Sequence, residues 1–393
     1  MSTDFRHYLV VTFGYWAFTI TDGAIRMLVV LYFHQLGYSP IEIALLFVFY
    51  EAFGVATNFI GGWLGSVIGL NRIMHFGMGL QVFALLLLSA PDSWLNVGYV
   101  MAVQALSGIA KDLNKMSAKT SVKKLVPENA NATLLRWTSV LTGSKNSLKG
   151  AGFFVGAFLL SIWGFRGALY ALAIPLAVVL LILLFTLPKQ LGTAQFKTPF
   201  SQLLSRSPAI NRLSAARYFL FGARDIWFVV ALPVFLATAG WSHTQTGAFL
   251  ALWIIGYGIV QMVAPSILRR GREAPGGRSA VGYAGALALI PAIMAALLYA
   301  GLAPVQVVTF GLILFGLQFA LNSALHSYLV LHYADHDKAA LDVGFYYMSN
   351  AMGRLTGTVL SGWMYQVFGM AGCLVGSCIM ITLAALISKR LPS

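Results

Sequence analysis

The chain has 393 residues, of which 59% are hydrophobic and only 10% charged, where an ordinary soluble domain carries about 25% charged residues. With a mean hydropathy of +0.78, it has too little polar sequence to stay disordered or to cover a soluble surface of this size. The net charge of +14 would suggest nucleic acid as a partner in a soluble protein. In a membrane protein it is the signature of positively charged cytoplasmic loops, and no nucleic acid partner is expected.

Apolar runs recur from Tyr8 to Ser388, and a spanning helix needs about 20 such residues. Stretches such as 82–88 and 176–187 do not alternate as barrel strands would. The pattern predicts an all-α polytopic membrane protein with twelve transmembrane helices, at 8–35, 41–65, 73–90, 95–120, 133–162, 167–187, 209–238, 244–268, 279–300, 305–331, 340–368 and 370–388. Turn residues mark the breaks, among them Gly37 to Pro40, Pro91, Pro127, Pro188, Pro275 and Gly301. The first run holds Asp22 and Arg26 and has no cleavage site ahead of it, so it reads as a retained span.

Loop charge sets the orientation. With the N-terminus inside, the inner segments hold Arg6, Arg72, Lys123, Lys124, Lys189, Lys197, Arg206, Arg269, Arg270, Arg272, Arg278, Lys338, Lys389 and Arg390, and the outer loops hold Arg166. Both termini are therefore expected in the cytoplasm. The expected organisation is a six-helix half at 1–187, a cytoplasmic central loop at 188–208 and a second six-helix half at 209–393. A repeat supports two pseudo-symmetric halves. Asp22 precedes Gly37-Tyr38-Ser39 as Asp225 precedes Gly240-Trp241-Ser242, with an offset of 203. Gly108 precedes Leu113-Asn114 as Gly316 precedes Leu321-Asn322, and Gly62-Trp63-Leu64 to Gly69 echoes Gly362-Trp363-Met364 to Gly369.

Ionisable residues at membrane depth are expensive, so each is a functional candidate. They are Asp22 and Arg26 in span 1, Glu51 in span 2, Lys111, Asp112 and Lys115 in span 4, and Lys145 and Lys149 in span 5. Arg224 and Asp225 in span 7 and Arg354 in span 11 complete the set. The seven bases (Arg26, Lys111, Lys115, Lys145, Lys149, Arg224, Arg354) outnumber the four acids, so a small anionic substrate would complete the balance. Lys111, Lys115, Lys119 and Lys123 form one stripe. The lower two can snorkel to headgroups, whereas the upper two sit deep enough to line a central cavity. Arg354 corresponds to Lys149 when spans 5 and 11 are aligned on their glycines. Paired cations of this kind suit phosphate-like groups, Arg by bidentate contact and Lys as a point charge. Asp22 can pair with Arg26 at i, i+4, while Arg224 and Asp225 point different ways and call for partners elsewhere. The acids Asp22, Glu51, Asp112 and Asp225 read either as neutralisers of nearby bases or as proton carriers. Glu51, with no base near it in sequence, is the foremost proton candidate.

Gln104, Asn322 and His326 read as polar helix–helix contacts, and Trp16, Tyr15, Trp227, Tyr346 and Tyr347 as packing or cavity lining. Cys373 and Cys378, five residues apart, point to different faces, so neither a disulfide nor a thiol metal site is expected. No His-Glu-x-x-His, phosphate loop or nucleophile elbow is present. The tract from His332 to Lys338 reads as a solvated turn. An enzyme, a cofactor and a metal are not expected.

Twelve spans in two halves with a central loop resemble the major facilitator superfamily. Gly62, Leu64 and Gly69 fit its loop signature between spans 2 and 3, with Ser66 where Asp is usual and Arg72 alone of the basic cluster. Gly143, Gly152 and Gly156 match the glycine spacing of its antiporter motif, with Ala157 in place of Pro. More specifically, Gly14-Tyr-Trp-Ala-Phe18, the run from Ser107 to Lys119, Leu141-Thr-Gly-Ser-Lys-Asn146 and Phe221-Gly-Ala-Arg-Asp225 resemble the ArsJ-type organoarsenical efflux permeases. That resemblance implies export of 1-arseno-3-phosphoglycerate, an arsenylated phosphoglycerate made from arsenate by glyceraldehyde-3-phosphate dehydrogenase. It also implies arsenate resistance, and a place in a bacterial inner membrane with lipid as the surrounding partner. Alternating access coupled to protons and a monomeric state are the matching expectations. The charge pattern alone leaves open an exporter of another organophosphate or phosphonate, and a membrane-embedded enzyme or sensor is the alternative of another class. Handling of trivalent arsenic would favour several thiolates, which this sequence lacks.

Overall fold

The computed structural model describes residues 3–38, 46–127, 130–187, 207–228, 231–241, 243–268, 275–335 and 339–392. Expectations on Ser39, Pro40, Pro188, Lys189, Lys197, Arg206, Ser242, Arg269, Arg270, Arg272 and Lys338 lie outside the described residues, as do residues 188–206 of the central loop and the side chain of Ser66.

All regular structure among the described residues is helical. The α-helices are α1 (Thr3–Gln35), α2 (Val48–Ile68), α3 (Leu70–Leu88), α4 (Val97–Leu125), α5 (Asn131–Thr186), α6 (Pro208–Phe228), α7 (Ala231–Thr238), α8 (His243–Leu268), α9 (Gly277–Tyr299), α10 (Pro304–Tyr333) and α11 (Ala339–Ser388). A short 3-10 turn lies at Asp92–Trp94. Seven of the described helices are long and apolar enough to cross a membrane on length and composition alone. The long α5 and α11 are each two spans that run on without a loop. They are bent at Gly164 and Gly369, whose φ values are both +65°. With those two breaks, and with α6 and α7 as the halves of one span, the helices make twelve spans, as expected.

The backbone repeats with the sequence. Gly164 and Gly369 share one left-handed conformation, and Gly37 and Gly240, at φ +86° and +88°, share another. A left-handed residue favours glycine because a Cβ would crowd the following carbonyl. The same turn residue at matching points of both halves is what a duplicated six-helix unit requires.

The chain forms two compact units. The first comprises residues 1–130, 144–204 and 334–348, the second residues 131–143, 205–333 and 349–393. In unit 1, α1 meets the first part of α5, before its bend at Gly164, through small residues. A Cβ on Gly23 would strike the Lys149 carbonyl, and one on Gly152 or Gly156 would strike the backbone of Ile20 or Ala24. In unit 2, α6 meets α11 in the same way, with Gly353 against the Tyr218 carbonyl and Gly357 against Gly222 and Asp225. In lipid there is no hydrophobic drive to pair apolar helices, so close backbone approach between small residues supplies the packing. Gly143, the first glycine of the antiporter-like spacing, instead packs on Gly258 and Met262 of α8.

Each unit also has a glycine of the fourth or tenth span packed closely on a neighbouring helix. Gly108 of α4 lies on the backbone of Tyr50, and Gly316 of α10 lies under the Trp253 ring. The core of unit 2 gathers Trp227, Trp253, Tyr257, Phe315 and Phe319. Trp227 meets Trp253 and Phe315 edge to face at 5.8 and 5.0 Å.

Candidate functional site

The α1–α5 crossing sets the chemistry of unit 1. Because Gly23 and Gly152 let the two backbones touch, Lys149 on α5 comes beside Asp22 on α1. Lys149 Nζ lies 2.7 Å from Asp22 Oδ2, and the carboxylate is 2% exposed. The other oxygen, Oδ1, accepts a hydrogen bond from the Tyr50 hydroxyl. The Tyr50 ring in turn carries Lys111 Nζ at 3.9 Å and the Arg26 guanidinium at 4.9 Å from its centroid. Glu51, the next residue, takes Arg26 at 3.1 Å and Lys111 at 3.7 Å. Lys111 also lies 3.5 Å from Asp112, which Lys115 bonds one turn further on. Spans 1, 2, 4 and 5 thus meet in one charged network.

The α6–α11 crossing repeats the plan in unit 2. Gly357 sits against Asp225, so Arg354, one turn earlier on α11, reaches that carboxylate at 3.1 Å. Arg224 Nε donates to Asp225 Oδ1 at 2.6 Å. Asp22–Lys149 and Asp225–Arg354 are the same ion pair built twice, once with an ammonium and once with a guanidinium.

Six of the seven expected bases are therefore ion-paired, sharing four carboxylates, and the seventh, Lys145, donates to Asn146 at 3.2 Å. Four local expectations are corrected. Asp22 and Arg26 do not pair with each other, because α5 and α2 bring closer partners. Glu51, read as having no local base, receives two from other helices. Arg224 and Asp225 bond one another as well as sharing the site with Arg354. Lys119, expected to snorkel, is 5% exposed and lies 5.0 Å from the centroid of Tyr347, whose ring also carries Lys115 at 4.7 Å.

The remaining polar residues divide. Asn322 is a helix contact, donating to the Tyr283 carbonyl at 2.9 Å. Gln104 and His326 are fully buried but make no side-chain hydrogen bond among the described residues, contrary to that expectation. Trp16 Nε1 donates to Ser144 Oγ at 2.7 Å, tying α1 again to α5. His332 meets Asn131 at 3.1 Å. Arg166, the expected outer base, bonds Asp92 at 3.1 Å, and Tyr32 donates to the same carboxylate.

Sequence reasoning missed two residues. Tyr50 had no charge to draw notice, and only the packing of α2 against α1 and α4 places it among Asp22, Arg26 and Lys111. Arg217 lies near the start of its span, where a base ordinarily reaches headgroups. It is instead 3% exposed, bonded to Asn350 Oδ1 at 2.8 Å and Ser323 Oγ at 3.4 Å.

The profile of the Major Facilitator Superfamily matches residues 11–341. The chain belongs to the major facilitator superfamily. Solved structures of similar fold cover nearly the whole chain. The human organic anion transporter MFSD10 (TETRAN) is 16% identical, with a TM-score of 0.78 over 99% of this chain and 100% of its own. A bacterial homologue of the iron transporter ferroportin, in an outward-facing state, is 16% identical, with a TM-score of 0.75 over 98% and 99%. The proton:xylose symporter XylE is 17% identical, with a TM-score of 0.75 over 99% and 96%. No curated protein sequence matches the chain. As a superfamily member, the protein is a multi-pass membrane transporter.

Proposed function

We propose that this transporter exports a small organic anion carrying a phosphate-like group, 1-arseno-3-phosphoglycerate, and so confers arsenate resistance. It would work from the bacterial inner membrane with both termini cytoplasmic, the halves 1–187 and 209–393 alternating access to the two sides. The observation that carries the reading is the shared pairing at depth: four carboxylates hold six bases, and Asp225 alone holds two guanidiniums. Bases already stripped of water and bonded to carboxylate oxygen exchange one oxyanion for another at low cost. An arriving phosphate or arsenate group would take Lys111, Lys149 or Arg354 from its carboxylate. The released Asp22, Glu51, Asp112 or Asp225 could then bind a proton, which links export to a proton gradient.

Uptake into everted vesicles tests this. Vesicles supplied with glyceraldehyde-3-phosphate dehydrogenase, its aldehyde substrate, NAD+ as hydride acceptor and arsenate should accumulate arsenic only when the transporter is present, and faster with an acid interior. Lys149→Ala and Arg354→Ala, at normal expression, should each abolish resistance. Equal uptake of 3-phosphoglycerate or a phosphonate without arsenate would favour the second reading, a general organophosphate exporter, because charge alone recognises both. Turnover without movement across the bilayer would point to an enzyme instead.

A further inference from the structure

A second polar cluster in unit 2 is built around Arg217, two turns before Arg224 on α6. The Arg217 guanidinium bonds Asn350 and Ser323 and lies 3.7 Å over the Phe221 ring. In the same unit the buried Tyr257 hydroxyl accepts from Gln261 at 3.0 Å. One turn beyond Ser323 on the same face of α10 stands His326, 1% exposed. Neither of its ring nitrogens has a hydrogen-bond partner among the described residues. Within unit 2 the sole carboxylate among the described residues is Asp225, and Arg224 and Arg354 already bond it.

A neutral imidazole carries one N–H donor and one acceptor nitrogen. Burying both unmet lowers stability, and an apolar residue of similar size would avoid that cost. Such a side chain, one turn from a serine that a buried guanidinium bonds, suits a ligand that offers an anionic oxygen and a hydroxyl proton together. A singly protonated phosphate group offers both, whereas sulfate at neutral pH has no proton to give. We propose that Arg217, Ser323, His326 and Asn350 form a second, occluded oxyanion site for a protonatable phosphate group, separate from the Asp225 ion pairs. It goes beyond the export reading and does not depend on which anion is carried.

The test uses the full chain purified in neutral detergent, with inorganic phosphate and sulfate as probes, read by thermal unfolding and calorimetry. Phosphate should raise the unfolding temperature more than sulfate does. His326→Leu should raise the unfolding temperature of the unliganded protein and cancel the phosphate increment. Arg217→Lys, which keeps the charge but loses the planar fork, should weaken phosphate binding by about tenfold or more. His326→Asn, which retains a donor and an acceptor, should keep part of the increment and serves if the leucine variant does not fold.

An unchanged phosphate response in both Arg217→Lys and His326→Leu overturns the site, as does a lower unfolding temperature for unliganded His326→Leu. A phospholipid diester could supply the same oxygens without the proton. If the phosphate response is present in lipid-free detergent but lost in phospholipid nanodiscs, the ligand is lipid and the protonatable-phosphate assignment falls. Loss of phosphate binding in Lys149→Ala but not in His326→Leu would sink this site and leave the export reading standing.

Discussion

Asp225 is 0% exposed and faces two guanidiniums, neither of which can shed its charge. Asp225→Asn would strand both in a low dielectric. Its expected cost is about 3–5 kcal/mol, the range for breaking a buried ion pair, measured by denaturant unfolding in detergent. Asp22→Asn should cost less, because its partners are one ammonium, which can lose its proton when desolvated, and one neutral phenol. Tyr50 allows a finer test. Tyr50→Phe removes the hydroxyl from Asp22 but keeps the ring under Lys111 and Arg26, whereas Tyr50→Leu removes both. Melting temperatures should fall in that order, with the cation–π contacts contributing roughly 0.5–2 kcal/mol. At this scale the charged residues were legible in the sequence because lipid makes each of them costly. Their partners were not. The i, i+4 rule offered Arg26 to Asp22, but the helix crossing delivered Lys149, since spacing along one helix carries no information about the helix that crosses it. Tyr50 and Arg217 gave no signal for the same reason.

At the level of helices, glycine determines which spans touch. Gly156→Leu would drive a side chain into the Ala24 backbone, and Gly357→Leu into Gly222 and Asp225. Each should destabilise by about 1–3 kcal/mol through overpacking, and the second should also loosen Arg354 from Asp225. Gly282→Ala is the control: a Cβ there meets nothing within 4 Å, so it should be neutral or raise the melting temperature slightly. The twelve spans and their breaks were readable from hydropathy and turn residues, down to the bend at Gly369. The continuity of α5 across Gly164 was not, because a run such as Trp163 to Arg166 looks like a loop unless the backbone conformation is known. The antiporter-like glycines were recognised as a motif, but their division of labour emerges only from contacts. Gly152 and Gly156 pack on α1, while Gly143 packs on α8.

For the molecule as a whole, charge placement implies an orientation. Fluorescent-protein fusions at either terminus should fluoresce, and alkaline phosphatase fusions there should be inactive, if both ends face the cytoplasm. The superfamily architecture was legible because the apolar runs, the central break and the repeat all pointed to it. The substrate was less legible, because an excess of positive charge names a class of anion and not a member of it. The two units also differ in how they carry that charge. Among the described residues, unit 2 has one lysine, Lys389 near the end of the chain, and its deep bases Arg217, Arg224 and Arg354 are all guanidiniums. The deep bases of unit 1 are amines except for Arg26. An acylating reagent or cyanate should therefore neutralise the deep bases of unit 1 except Arg26 and spare those of unit 2, and a dicarbonyl should do nearly the reverse, so ordinary bench chemistry can address the two units one at a time.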